Sequence, residues 1–107
     1  MSDLTLIAGV PGVKSAVLGD LAGGFFDARE EQDGEAVAAV MGFLASLVSQ
    51  VGTELGLGTL ERISLAGESA AHVVLVDGSA VLAARVERPA ALGAVEKAVD
   101  GALQGRR

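Results

Sequence analysis

An uninterrupted stretch of 18 residues, from Ala36 to Thr53, carries no charged side chain. Its larger apolar residues recur at intervals of three and four, the spacing of one helix face; they are Val37, Val40, Met41, Leu44, Val48, Val51 and Leu55. The pattern predicts a helix from about Gly34 to Leu55, with Asp33 as its N-cap, Glu35 in its first turn and Gly56 after its end. We expect the stripe of large residues to face the core.

The same stretch approaches the length of a membrane-spanning helix, which needs about 20 predominantly apolar residues. Ser46, Ser49 and Gln50 dilute the run, and acidic rather than basic residues flank it. We therefore expect no membrane insertion. The opening Met1–Leu4 lacks the basic segment of a secretory signal, so we expect a cytoplasmic protein.

The rest of the chain alternates short apolar runs with turn-forming residues. It predicts a brief helix from Ser2 or Asp3 to Ala8, strands at Val13–Leu18, Phe25–Ala28, Leu60–Ala66, Ala71–Val76 and Ser79–Val86, and a last helix from Arg88-Pro89 through Leu103. The element order α-β-β-α-β-β-β-α indicates one α+β domain over residues 1–107. We expect a five-stranded antiparallel sheet between the long helix and the two terminal helices, a three-layer α/β/α sandwich.

Composition excludes several classes of function. The 107 residues include no Cys and one His, and the net charge is −6. Thiol chemistry and zinc–thiolate sites are therefore excluded, and scattered carboxylates give no spacing for a metal. An acidic chain lacks the basic face that nucleic acids require. We expect no enzyme activity, no cofactor and no nucleic-acid partner.

Three local features resemble functional motifs but fit structural roles better. The segment Gly9–Ser15 imitates a phosphate-binding loop, yet Val13 stands where the glycine before the lysine belongs, and a strand follows instead of a helix. His72 lies among apolar residues without an acidic partner, so we interpret it as a structural or partly exposed histidine. Arg29 and the acidic loop around Glu30 to Asp33 are interpreted as solvated, although such a loop could also dock a basic partner.

The long helix leaves two groups of residues for contacts outside the domain. With Leu44 at the centre of the core-facing stripe, Phe43 and Leu47 lie to one side, continued by Ala36, Ala39 and Gln50. The far face then carries Glu35, Gly42, Ser46, Ser49 and Thr53. The absence of charge can reflect an Ala- and Gly-rich composition, or it can mark surfaces that meet protein. We favour the second interpretation.

The segment Ile7–Val17, IAGVPGVKSAV, resembles the opening of the Roadblock (dynein light-chain roadblock) family. The similarity continues through the turn at Gly23-Gly24, the helix end LGLG from Leu55 to Gly58, the strand at Ile63–Leu65, the hairpin VDGSAVLA from Val76 and the sequence LGAV from Leu92. Order and spacing together carry the resemblance, which covers essentially the whole chain. It implies a Roadblock/profilin-like fold.

The resemblance also implies partners. In this family the third strands of two copies pair edge to edge and the long helices pack side by side, which implies a homodimer interface of Ala36, Ala39, Phe43, Leu47, Gln50, Ile63, Ser64 and Leu65. It implies a scaffold or regulator of a Ras-like small GTPase, similar to bacterial Mgl-type regulators of polarity and motility, with a second Roadblock protein as another possible partner. We expect the GTPase to contact Glu35, Gly42, Ser46, Ser49 and Thr53. The alternative is a small-ligand-sensing domain of similar shape, with His72 and Ser64 as the polar groups of its pocket.

Overall fold

The computed structural model describes residues 3–87 and 92–105, with side chains described to Ala102 in the last helix. Within these residues the order is α-β-β-α-β-β-β-α, as predicted. The elements are α1 (Asp3–Ala8), β1 (Val13–Asp20), β2 (Phe25–Arg29), α2 (Gly34–Glu54), β3 (Arg62–Ala66), β4 (Ala71–Asp77), β5 (Ala80–Val86) and α3 (Leu92–Gly105). The predicted helix start at Arg88-Pro89 lies outside the described residues.

The five strands form one antiparallel sheet in the order β2-β1-β5-β4-β3. Three of its four pairings join strands that are neighbours in sequence, and the fourth joins β1 to β5 along most of both strands. β2 and β3 are the two edges. β5 is buried on both faces over most of its length, and β4 is buried at Ala71, Val73 and Val74.

Two hydrophobic clusters, one on each face of the sheet, make the three layers. On one face, α1 and α3 bury Leu4, Ile7, Val95 and Val99 against side chains such as Val73. On the other face, α2 buries Met41 and Ala45 against Val74, Val81 and Ala83. The three-layer α/β/α sandwich is thus confirmed. Arg62 links β3 to α3, because its Nη1 donates to both carboxylate oxygens of Asp100, at 2.7 and 2.8 Å.

The ends of α2 differ in how their backbone groups are satisfied. Asp33 occupies the N-cap position but makes no side-chain capping hydrogen bond. At the other end Gly56 adopts a φ of 71°. Its N–H donates to Thr53 O at 3.1 Å, and Leu57 N–H donates to Gly52 O at 2.9 Å. This pair of bonds is a Schellman motif, which a left-handed glycine permits.

The β4–β5 hairpin turns one residue later than the sequence suggests. Asp77 pairs with Ala80, so the two loop residues are Gly78 and Ser79 rather than Asp77 and Gly78. Gly78 has a φ of 61° while Ser79 is not left-handed, the signs expected for a type II′ turn with glycine first. Asp77 therefore belongs to β4 and lies on the same side of the sheet as Leu75.

Candidate interaction surface

α2 faces the sheet with its small residues. Its buried positions are Gly34, Ala38, Met41, Gly42, Ala45 and Gly52. The prediction that the stripe of large apolar residues faces the core is therefore wrong for Val40, Val51 and Leu55, which are all exposed. The helix is rotated by about 110° from the predicted setting, as measured at 100° per residue.

Close approach of the backbones explains the rotation. A Cβ on Gly42 would lie 2.5 Å from Asp20 O and 2.8 Å from Gly23 N, in the turn between β1 and β2. A Cβ on Gly34 would lie 2.6 Å from Cε1 of Phe25. At Gly42 only glycine fits, because the atoms that a Cβ would meet are backbone, whereas at Gly34 the Phe25 ring would have to move. The helix therefore packs against the sheet through small residues, and its large residues lie elsewhere.

This packing corrects part of the predicted partner site. Gly42 is buried, and Ser46 is half-buried with its Oγ donating to Leu21 O at 2.9 Å. Both contact the chain's own β1–β2 turn, so the prediction that they point outward is wrong. Ser49 is also half-buried. Glu35 and Thr53 are exposed, on the flank of the helix. The five residues do not form one outward surface.

The exposed side of α2 carries large apolar residues. We call Val40, Phe43, Leu47 and Val51 the outer α2 face. Their exposed fractions are 60%, 70%, 48% and 49%. Ala36, Ala39 and Gln50, which were predicted to lie at a dimer interface with Phe43 and Leu47, are exposed as well. Sequence reasoning missed Val40 and Val51, because it assigned large residues to the core without weighing the glycines.

β3 presents an open edge of the sheet, next to β4. Val76 N–H donates to Glu61 O at 2.9 Å, and in the antiparallel register with β4 the pairs Ile63–Val74 and Leu65–His72 follow two and four residues later. The N–H and C=O groups of Arg62 and Ser64, which lie between these pairs, therefore point away from β4. Ser64 and Leu65 are exposed and Ile63 is half-buried. A second strand could pair there.

Solved structures of other proteins share this architecture. The crystal structure of a Roadblock/LC7 domain from Streptomyces avermitilis aligns with a TM-score of 0.72 at 23% identity, covering 91% of this chain and 88% of that one. Myxococcus xanthus MglB aligns with a TM-score of 0.80 at 14% identity, covering 94% and 87%. The gliding protein MglB of Thermus thermophilus gives 0.79 at 20% identity, covering 94% and 79%. The chain has the Roadblock/LC7 fold.

The resemblance read from the sequence is thus confirmed at the level of fold, with Mgl-type proteins among the structural relatives. No family model matches the sequence, and no curated protein does. Among the described residues, one helix, α2, is long and apolar enough to cross a membrane by length and composition. In its most apolar stretch of 18 residues, 28% of the residues are buried. The core helix of a soluble domain passes the same test.

The segment that imitates a phosphate-binding loop is part of the Roadblock/LC7 framework. Gly12 has a φ of 95°, and β1 begins directly after it at Val13. Lys14 Nζ lies 3.0 Å from the Glu87 carboxylate, and this contact, first among several, lowers the pKa of Glu87. Lys14 is therefore engaged with an acidic residue, and a strand occupies the place of the helix that binds phosphate in a true loop.

His72 lies in a polar row on the α2 side of the sheet. Cross-strand register aligns it with Arg85 on β5 and, beyond that, with Ser15 on β1. Its Nδ1 is buried without a hydrogen-bond partner. Burial lowers the pKa of His72 below the ordinary 6.5, and the charge of Arg85 lowers it further, whereas Glu31 acts in the opposite direction. Neutral histidine is the favoured form.

The two polar groups of the alternative ligand pocket do not converge. Ser64 pairs with Val73 and so belongs to the α3 side, while His72 pairs with Leu65 on the α2 side. At the end of β2, before the acidic loop, Arg29 Nη1 donates to the Asp27 carboxylate at 2.8 Å, and this hydrogen bond is the main cause of the lowered pKa of Asp27. Across residues 3–87 and 92–105, no three acidic or histidine side chains are grouped so as to hold a metal ion.

Proposed function

We propose that this chain is a non-enzymatic, homodimeric adaptor that regulates a Ras-like small GTPase in the cytoplasm of a bacterial cell, in a process such as polarity or motility. The outer α2 face carries the proposal. Four large apolar side chains on one stripe, without a charged residue between Ala36 and Thr53, are unusual on a soluble surface and are typical of a protein interface.

The second copy covers this surface in the proposal. Two β3 edges pair, which extends the sheet and satisfies the outward N–H and C=O groups of Arg62 and Ser64. The two α2 helices then lie side by side and bury Ala36, Ala39, Phe43, Leu47 and Gln50, together with Val40. The predicted interface residues keep their role, because all except half-buried Ile63 are exposed in the single chain.

The GTPase binds to the helical layer of this dimer. Likeness to MglB structures and the family resemblance in the sequence support a partner of this class. Glu35 and Thr53 remain candidate contacts on the flank of α2, whereas Gly42 and Ser46 are withdrawn because the chain's own turn covers them. We propose another Roadblock protein as a second partner for this helical layer.

Sedimentation velocity tests the dimer. The purified chain should have about twice its mass of 10.7 kDa at micromolar concentration. Phe43→Asp would bury an unpaired charge in the interface, so association should weaken by about 3 kcal/mol or more. Thr53→Asp adds the same charge on the exposed flank and should leave the dimer intact. A monomeric wild-type chain, or equal effects of both substitutions, would contradict the proposed interface.

Binding to purified Ras-like GTPases of the source organism, loaded with GDP or a non-hydrolysable GTP analogue, tests the partner. We expect one of them to bind in a nucleotide-dependent manner, and Phe43→Asp to abolish binding because the helical layer is lost. If the chain dimerises but binds none of these GTPases, the proposed dimer interface stands and the proposed regulatory role is refuted.

A further inference from the structure

A groove of about 680 Å³ opens on the side of the sheet opposite α2. Its floor is a row of three leucines in register across the central strands, because Leu18 pairs with Leu82 and Leu82 pairs with Leu75. Leu82 is buried, while Leu18 and Leu75 are only half-buried. Within the described residues, the helical layer of α1 and α3 thus stops short of this end of the sheet and leaves an apolar floor partly open.

Acidic side chains surround this floor. The described residues that line the groove include four acids, Asp3, Glu61, Asp77 and Asp100, and one base, Arg62. The guanidinium of Arg62 is already bound to both oxygens of Asp100. Asp77 is exposed at the rim, on the same side of the sheet as the leucines, whereas Glu61 lies opposite Val76 in the register with β4. The electrostatic potential above the leucines is therefore negative. The net charge of the whole chain, −6, has the same sign.

An occupant must complement both properties. Its volume falls within the range of about 300–1,000 Å³ that ligand-binding clefts have. An aliphatic side chain would cover the leucine floor, and a neighbouring Lys or Arg would face Asp77, which lies on the same side of the sheet as Leu75. Nucleic acid and acidic peptides are repelled by the same rim.

We propose that this groove binds a short basic peptide segment of a partner protein, with aliphatic residues on the leucine row and cationic residues at the acidic rim. The site lies on the opposite side of the sheet from the outer α2 face. It is therefore separate from the outer α2 face, and it meets the proposed dimer only at the β3 edge, where Arg62 belongs to both.

Fluorescence anisotropy with labelled peptides tests the proposal. The peptide KKLRLLKK should bind saturably, and binding should weaken when NaCl is raised from about 50 to about 500 mM, because salt screens exposed charges. The acidic peptide EELELLEE and the hydrophilic basic peptide KKSRSSKK should bind at least about tenfold more weakly, since one lacks the charge complement and the other the aliphatic contact. Equal binding of KKSRSSKK would reduce the effect to general charge attraction and overturn the proposal.

Charge reversal locates the site. Asp77→Lys should weaken binding of KKLRLLKK about tenfold. Glu68→Lys is the matched control, because Glu68 is an exposed acid in the turn at the other end of β4. If Glu68→Lys weakens binding as much as Asp77→Lys, the peptide does not bind in the groove. If Asp77→Lys instead changes the sedimenting mass of the protein, a second copy fills the groove and the proposal is wrong.

Discussion

Gly42 sets the distance between α2 and the turn that joins β1 to β2. An added methyl group there would meet backbone atoms, Asp20 O at 2.5 Å and Gly23 N at 2.8 Å. Backbone cannot move aside as a flexible side chain can, so the helix must shift or the turn must open. Ser46, one turn further on, holds the same turn by its hydrogen bond to Leu21 O.

Two glycines of α2 should respond to alanine in opposite directions. Gly42→Ala should lower the free energy of unfolding by about 1–3 kcal/mol, because the added Cβ overlaps backbone. Gly52→Ala is the matched control, since a Cβ there would have no neighbour within 4 Å. Gly52→Ala should raise the free energy of unfolding by about 0.5–1 kcal/mol, because alanine has the higher helix propensity. Chemical denaturation measures both, and equal signs would refute this account of how α2 packs.

His72 should make stability depend on pH in a narrow window. Its pKa in the folded chain lies below the ordinary 6.5, so near and below pH 6.5 the unfolded chain binds more protons than the folded one. Stability is therefore fully present above the unfolded pKa and is lost as pH falls toward the folded pKa. Arg85 on β5 opposes protonation, and Glu31 before α2 favours it.

Thermal denaturation between pH 7 and pH 5.5 measures this effect, and the chain has no other histidine. The wild-type midpoint should fall across this range, whereas that of His72→Gln should stay nearly constant. Glu31→Gln should steepen the loss, because it removes the charge that favours protonation. A wild-type slope that His72→Gln preserves would assign the titration to another group.

At the scale of elements, sequence predicted the helices and strands well and the setting of α2 poorly. Strand ends and turns follow local signals, so β1 to β5 were found to within about two residues. The face that a helix buries depends on how closely the neighbouring backbone approaches it. The hydrophobicity of the residues does not specify that distance. Gly42 and Ser46 were predicted to contact a partner, whereas they pack against the chain's own turn.

The same limit applies to the β4–β5 hairpin and to the N-terminus of α2. Asp77-Gly78 was a sound turn signal, yet cross-strand register moved the loop to Gly78-Ser79. Asp33 was a sound capping residue, yet it makes no side-chain bond to the helix. In both cases the residue types predicted the turn or the helix start correctly, and tertiary packing determined the exact positions and contacts.

A substitution in β3 can test edge pairing without unfolding the domain. The Ser64 N–H points away from β4, so proline at this position removes no hydrogen bond within the sheet. Ser64→Pro should therefore keep the fold by circular dichroism but lower dimer affinity in sedimentation. Leu65→Pro is the contrasting variant, because Leu65 belongs to a hydrogen-bonded pair with His72 and its loss should destabilise the domain itself. A Ser64→Pro chain that dimerises like wild type would exclude pairing through β3.

At the scale of the whole molecule, the two faces of the sheet differ in chemistry. The α2 side ends in an uncharged apolar stripe, which suits another copy of the same acidic chain, because contacts there bring no acidic side chains together. The other side ends in an acid-rimmed groove, which suits a basic partner and repels a second copy. The central β1–β5 pairing joins these halves through contacts distant in sequence, so both surfaces depend on one cooperative fold.

Stability should therefore rise with protein concentration. If dimerisation buries the outer α2 face only in the folded state, mass action links association to folding. For a dimer of two 107-residue chains, a tenfold increase in concentration should raise the midpoint of thermal unfolding by about 3 °C. Phe43→Asp should remove this dependence, whereas Asp77→Lys in the groove should retain it. A midpoint that does not change over a hundredfold range of wild-type concentration would mean that the apolar stripe on α2 is covered by a partner other than this chain.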